Sequence, residues 1–567
     1  MNSIFFLILR SMRAPLITII ISYTIAIFGM TLMPGVDDRG NPWQMSLFDS
    51  FYVISYTATT IGFGELPYAF STAQRLWMTL SIYLTVISWF YAIGKIISLA
   101  QDPSLREAFT RARFARAISS LHEPFYIVCG YGETGSLLVG ALDRKGIRVV
   151  VLDGSQTRIN ELEVQDYQSH VPALCADAKL PENLLLAGIR HPMCSGVTAL
   201  SNDDHVNLSI AIAVKLINPK LPVLCRAENQ ETVANMKSFG TDLVINPYEL
   251  FGEHLAMEVH ALGTYLLHEW LTGVPGTSLP SPACPPTGKW VVCGYGRFGK
   301  SVVKNLEREQ IHTVVIEAEP EMTGCHGCVV GSGTEAHTLL EAGIEEASGI
   351  VAGTDNDINN LSIVMTALEI KPDLFVVIRK NKRYNDPLFE QFNADITMQP
   401  SDIIAHECLA HLISPLLAQF LTLARGQSNA WANQLISRLV EVMGEQVPET
   451  WGITLSQAQT PAVALLLAQG KPVKLETLTR DPSNRNESLP LVPLLLVRNK
   501  KTMLLPELTL SLKPGDRILF CGKNSAKVTH PLLLLNNKAL QYVLDGTETP
   551  DGWIWRWLSS VRAARAQ

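Results

Sequence analysis

From Pro15 to Met33 the chain runs nineteen residues without a charge, and Leu76 to Ala100 repeats the pattern with a single charge, Lys95, near its end. At about 1.5 Å of rise per residue, each stretch is long enough to cross the hydrocarbon layer as a helix, the one open-ended form that satisfies its own backbone in lipid. A removable leader is the competing account of the first stretch. Against it, the stretch follows Arg10 and Arg13, exceeds the apolar core of such leaders, and has no small-x-small cleavage site behind it. Between the two stretches lies Thr59-Thr60-Ile61-Gly62-Phe63-Gly64-Glu65, led in by the aromatic-rich Leu47 to Thr59, which reads as a helix too short to cross. The chain therefore enters and leaves on one side, as a re-entrant loop. Gly62 and Gly64 permit backbone conformations barred to residues with a Cβ, so that successive carbonyls can point the same way.

The string from Thr57 to Glu65 (TATTIGFGE) resembles the TATT(I/V)G(Y/F)GE/D signature of the two-span potassium channels. The resemblance implies a homotetramer with its selectivity filter at Thr59, Thr60, Ile61, Gly62, Phe63 and Gly64. K⁺ would be held by the backbone carbonyls of Thr60, Ile61, Gly62 and Phe63 in place of its water shell. Phe63 stands where Tyr is commonest and Glu65 where Asp is; the carbonyl rather than the ring is the ligand, so selectivity survives the exchange. Tyr52 and Tyr56, at i and i+4 on the pore helix, are placed to brace the filter. Below the filter the second span would line the pore. Ile93, Ile97 and Ala100 share one face near its end and form the candidate inner gate, with ordinary helix packing as the competing account and Gly94 as a bend. Arg10 and Arg13 on one side match Arg106, Arg111, Arg113 and Arg116 after the second span, which places both termini in the cytosol of a cell (inner) membrane.

The remaining residues carry a different signal twice. Gly130-Tyr-Gly132-Glu133-Thr134-Gly135 follows an apolar run and opens a helical pattern, and Val149 to Asp153 closes a second run on an acid. Gly294-Tyr-Gly296-Arg297-Phe298-Gly299 and Glu317 repeat this 164 residues later, while Leu208/Leu361, Arg226/Arg379 and Pro247/Pro400 repeat at 153. Two constant offsets mean a duplicated βαβ unit, the second copy shorter by eleven residues after its second strand. In such a unit the glycines let a diphosphate approach a helix N-terminus, and the acid reaches ribose hydroxyls. Attached to the pore signature, the units resemble tandem RCK domains, regulators of conductance that assemble as a ring of eight under the membrane. The fold class expected is thus an α-helical membrane pore domain followed by two α/β Rossmann-like RCK domains and a small α+β C-terminal subdomain. Its boundaries are a pore domain 1–101, a linker 102–123, a first RCK domain 124–280, a second 289–430, a C-terminal subdomain 445–525 and a tail 526–567. The hairpin at Val497 to Lys501 and Leu512 to Asp516 ahead of a strand mark that subdomain.

Nucleotide contacts are expected at Gly130, Gly132, Glu133, Thr134, Gly135, Asp153, Asp177 and Arg226 in the first copy. In the second they fall at Gly294, Gly296, Arg297, Phe298, Gly299, Glu317 and Arg379. Glu133 faces where phosphates would sit in one copy, whereas Arg297 and Arg379 could pair with phosphate in the other. An acid at both second-strand ends favours NAD or an adenosine nucleotide (ADP, ATP or AMP) as regulatory ligand over NADP. Asp203/Asp204 and Asp355/Asp357 are candidates for Ca²⁺, weighed against solvated loop carboxylates. Cys325-His-Gly-Cys328 has CxxC spacing but no second Cys/His pair, so it reads as two reduced thiols. With a net charge of −7 and 46 dispersed basic residues the chain has no polybasic face for nucleic acid. Trp553, Trp555 and Trp557 mark a tail that fits the membrane or the ring equally well. Beside the ligand-gated channel stand two alternatives: a regulatory subunit of a K⁺ transport system, which leaves the filter string unexplained, and a membrane-anchored NAD-dependent oxidoreductase, for which no catalytic motif is found.

Overall fold

The computed structural model describes residues 2–273, 276, 283–392 and 394–547. The Trp553–Trp557 segment, Ser281 and Pro282 of the proline-rich connection, and the side chain of Ala100 lie outside the described residues. The chain forms two compact units, one up to Leu121 and one from His122 on.

In the first unit, α1 (Asn2–Leu32) and α3 (Thr72–Ala100) are long and apolar enough to cross a membrane. They pack through small residues. An added Cβ on Gly29 would sit 1.9 Å from the Trp77 indole, whose Nε1 donates to the carbonyl of Ala26 (3.0 Å). The buried hydroxyls of Ser22 and Ser88 meet at 2.6 Å, a polar link of the kind that lipid rewards. Between the two helices stands α2 (Leu47–Ala58), started by Ser46, whose hydroxyl accepts from the amide of Asp49, and ended by Thr59. Two residues beyond α3 the chain turns helical again as α4 (Pro103–Ser119), capped by Asp102, so most of the expected linker is a helix.

The second unit holds three sheets. In the first copy β1 (Phe125–Cys129), β2 (Arg148–Asp153), β3 (Ala173–Cys175), β4 (Cys194–Ala199), β5 (Val223–Arg226) and β6 (Leu243–Ile245) form a parallel sheet in the order β3-β2-β1-β4-β5-β6. Its glycine-loop helix is α5 (Glu133–Arg144), and α6 (Gln156–Val164) links β2 to β3. Two helices, α7 (Pro247–His260) and α8 (Leu262–Thr272), lead into the second copy. There β7 (Trp290–Cys293), β8 (Thr313–Glu317), β9 (Val329–Val330), β10 (Gly349–Ala352), β11 (Phe375–Arg379) and β12 (Ile396–Met398) repeat the order as β9-β8-β7-β10-β11-β12. The glycine-loop helix is α9 (Arg297–Arg308), and the helix after β12 is α10 (Pro400–Ile413). Nine of the eleven residues of difference fall between β8 and β9, where a four-residue helix, Pro320–Thr323, stands in for α6, and the other two between β9 and β10.

The copies exchange their last helices. α7 packs on α9 of the second copy and α10 on α5 of the first, so Tyr248, Phe251 and Leu255 join the second core, and Ile404, Cys408 and Leu412 the first. Beyond them α11 (Pro415–Arg425) and α12 (Asn429–Met443) lead to an antiparallel sheet. Its strands are β13 (Glu449–Thr454), β14 (Leu491–Arg498), β15 (Lys501–Leu504) and β16 (Arg517–Gly522) in the order β13-β16-β14-β15. The expected hairpin pairs Arg498 with Lys501, with Asn499 and Lys500 at φ 49° and 66° in its turn. This lobe runs past the expected boundary at 525: α13 (Asn524–Leu535) and α14 (Asn537–Asp545) bury Ala526, Leu533, Leu534, Leu540 and Val543 in its core. Of the apolar run Pro531 to Leu535, Leu533 and Leu534 face that core, while Leu532 and Leu535 are exposed.

A Cβ on Gly135 would lie 1.9 Å from the carbonyl oxygen of Gly130, and one on Gly299 1.9 Å from that of Gly294; no flexible side chain can yield there. By contrast the nearest atom to a Cβ on Gly132 is the Arg158 guanidinium at 3.9 Å. Gly135→Ala and Gly299→Ala are therefore expected to destabilise by about 1–3 kcal/mol or more, and Gly132→Ala hardly at all. Thermal unfolding of the three purified variants checks the order, and equal midpoints for Gly132→Ala and Gly135→Ala would refute it.

Candidate functional site

The glycine string after α2 has an alternating backbone. Thr60, Gly62 and Gly64 take φ of 62°, 64° and 102°, while Ile61 and Phe63 between them do not take positive φ. Alternating the hand of successive residues turns each peptide plane over, which brings carbonyls to one flank and amides to the other. The amides of Ile61 and Gly62 point back to the carbonyl of Tyr56, at 2.9 and 3.4 Å. Among the described residues nothing lies within 4 Å of a Cβ on Gly62 or Gly64, so backbone conformation alone asks for glycine. Behind the string the Tyr56 hydroxyl donates to the Gly64 carbonyl (2.5 Å), and Phe63 is flanked by Tyr52, stacked at 6.5 Å, and by Tyr56, edge-on at 5.6 Å. Glu65 closes the turn by accepting two bonds from Arg75 (2.8 and 3.0 Å) and one from the amide of Phe70. Further along α3, Ile93 and Ile97 are 42% and 51% exposed, on a face that α1 leaves uncovered.

In the first copy a cavity of about 560 Å³ opens over the carboxyl ends of β1, β2 and β4. Gly130, Gly132, Asp153 and Asp177 line it, four of the eight residues expected there. Gly132 caps α5 without a side chain, so the first amides of the helix keep their positive end free for an anion. Asp153, 5% exposed, accepts from the amides of Tyr131 (2.6 Å) and Ser155 (2.7 Å), with the Arg158 guanidinium 3.4 Å away. Thr134 and Gly135 are buried in the first turn of α5 and do not line the cavity. Glu133 turns away from it and accepts from the amide of Arg383 in the second copy (3.3 Å). Arg158 and Lys179 contribute cations that the sequence reading missed. The available signal was a basic residue five positions after Asp153 and two after Asp177.

Arg226 is engaged elsewhere. Its guanidinium bonds Asn202 (2.6 Å) and pairs with Glu228, whose carboxylate is 7% exposed and also takes Arg297 of the second copy at 2.7 Å. Arg379 is similarly committed, to Asp355 (2.7 Å), to the Tyr248 hydroxyl (3.0 Å) and to the Tyr248 ring face, 4.9 Å from its centroid. Phe298 is fully buried beside the same tyrosine. Both arginines expected to meet phosphate thus hold the two copies together. Gly294, Gly296 and Gly299 repeat the first loop, with Tyr295 donating to Glu317 at 2.6 Å, but the shortened β8–β9 connection brings no counterpart of Arg158. Cys325 and Cys328 lie in that connection, and burial together with the neighbouring thiol pushes Cys325 up to about 12. The acids considered for Ca²⁺ serve the chain itself. Asp203 caps the helix Asp204–Ile217, Asp204 accepts from Glu228 and Asn229, Asp355 pairs with Arg379, and Asp357 accepts from Asn381, Lys382 and Asn385.

The model of the TrkA-N domain family matches residues 126–247 and 290–400. The chain carries two TrkA-N domains. Potassium channel protein 1 of Methanocaldococcus jannaschii is 25% identical over 210 residues, 37% of this chain and 61% of that one. Probable potassium channel protein 2 of the same organism is 23% identical over 241 residues, 42% of this chain and 65% of that one. The chain thus spans less than two thirds of the length of either relative. Among solved structures, the GsuK channel bound to NAD aligns over 93% of this chain and 98% of its own, at 14% identity and a TM-score of 0.49.

Glu228→Gln would leave Arg226, whose side chain is 12% exposed, without its counter-charge, whereas Arg297 is 59% exposed at its end of the bridge. The first change is expected to cost about 3–5 kcal/mol, and Arg297→Ala no more than about 1 kcal/mol. A thermal midpoint lowered more by Arg297→Ala than by Glu228→Gln would contradict this ranking.

Proposed function

We propose that the chain is the subunit of a tetrameric, potassium-selective channel whose opening is set by an adenine nucleotide or NAD binding from the cytosol. The observation that carries this reading is the alternating-handed string at Thr60 to Gly64 between two helices of membrane-spanning length. Four such strings around an axis would offer rings of carbonyls from Thr60, Ile61, Gly62 and Phe63 to a dehydrated K⁺. The Gly64 carbonyl, taken by Tyr56, falls outside that set. Ile93 and Ile97, uncovered by α1, would meet their counterparts across the axis as a constriction that closes by dewetting. Arginines flanking both spans favour cytosolic termini. The homologous potassium-channel proteins support the reading.

The first TrkA-N domain is the proposed nucleotide site. Its helix N-terminus and Arg158 suit a diphosphate, while Asp153 suits a ribose with free hydroxyls. A ligand shifts the closed-to-open balance only by its differential affinity, typically about 1–3 kcal/mol per effector, and α4 is the covalent path by which a ring of TrkA-N domains would move the end of α3.

Planar-bilayer recording of the purified chain tests both halves. Gly62→Ala, forced to a φ of 64°, is expected to abolish K⁺-over-Na⁺ selectivity in an intact tetramer; normal selectivity would remove the pore assignment. Arg158→Ala is expected to weaken the apparent affinity for ADP or NAD about tenfold with conductance unchanged, as loss of one charged hydrogen bond implies. If Glu317→Ala has that effect and Arg158→Ala does not, the ligand belongs to the second copy.

A further inference from the structure

At the corner between α7 and α8, three metal-ligating side chains converge that the nucleotide cavity and the glycine loops do not use. Ligand atoms of His254, His268 and Glu269 all lie within 4.8 Å of one another, and the two imidazoles are 4.6 Å apart, edge to face. His268 is 7% exposed, and among the described residues its Nδ1 has no hydrogen-bond partner; Oε1 of Glu269 stands 3.5 Å from it. From α11 the Arg425 guanidinium comes within 3.3 Å of Nε2 of His254 and 3.4 Å of Nε2 of His268, with Glu253 3.5 Å from its other terminal nitrogen. Glu253 thus meets the guanidinium, while Glu269 stands on the other edge of His268.

We propose that His254, His268 and Glu269 bind a divalent first-row transition ion of the Zn²⁺ class. Two imidazoles and one carboxylate are the donor set of such ions, whereas Ca²⁺ and Mg²⁺ take oxygen ligands throughout. His268 ligates through its unpartnered Nδ1, its proton moving to Nε2, and Arg425 withdraws from the two rings onto Glu253. The ion ties α7 to α8, the helices that carry the chain from one TrkA-N domain to the next, and so makes their corner sensitive to cytosolic metal.

The test uses the purified full chain, stripped with a chelator and titrated by equilibrium dialysis with Zn²⁺ and separately with Co²⁺. A Cys325→Ser/Cys328→Ser variant serves as control for thiol-bound metal. The parent and the cysteine variant are expected to share one tight equivalent per chain that His268→Asn lacks, with a Co²⁺ spectrum free of thiolate bands. Glu269→Gln, at a side chain 34% exposed, is expected to weaken Zn²⁺ at least about tenfold, and it carries the test should His268→Asn fail to fold. Unchanged affinity in Glu269→Gln, or loss of the equivalent only in the cysteine variant, would overturn the site. Because the readout is bound metal rather than current, it stands or falls separately from the channel assignment.

Discussion

The amide that follows the first glycine of each loop donates to the carboxylate that ends the neighbouring strand, 2.6 Å in both copies. That bond fixes the turn over the sheet, and the turn in turn sets where the helix after it can start. A second constraint completes the arrangement. With a hydrogen in place of a Cβ at Gly135 and Gly299, the helix rests directly on the carbonyl of the first loop glycine. Strand, turn and helix become one rigid piece, and the free amides at its end face the mouth of the sheet. Asp153, the group proposed to meet a ribose, already holds the loop.

The exchange of α7 and α10 makes the two TrkA-N domains mutually dependent. Each lends the other a helix whose apolar side chains complete its core, and Glu228 sits between a guanidinium from each copy. Neither core closes without the other domain. Asn202 at the cavity rim bonds Arg226, Arg226 pairs with Glu228, and Glu228 takes Arg297 at the start of the second glycine-loop helix. This is a continuous chain of hydrogen-bonded charges, the sort of connection through which a domain pair responds as a body.

Much of this was legible in the residues. The TTIGFG string, both glycine loops, the acids at the strand ends and the constant offsets depend on local spacing, so a linear reading finds them. The partners of long side chains do not. Arg297 and Arg379 looked like phosphate ligands because their position in the unit is right, but the opposite copy supplies Glu228, Asp355 lies nearby, and Tyr248 arrives on an exchanged helix. Arg158 was missed because it sits in α6, which the second copy shortens to the four-residue helix Pro320–Thr323, so the repeat shows no matching cation. The polar segment 103–119 carries its helical signal in an Asp cap and the spacing of Leu105, Phe114 and Ile118, which a charge-rich composition obscures.

Thr60 holds a left-handed backbone at φ 62° without being glycine. An L-residue in that region costs roughly 1–2 kcal/mol relative to a right-handed one. The string between α2 and α3 carries that cost, with the bonds of Tyr56 and Glu65 holding it from behind. In the proposed channel, a cation held by the carbonyls would have to offset that cost as well as its own dehydration. The shape of the string would then depend on the cation activity on its axis, independently of the nucleotide cavity.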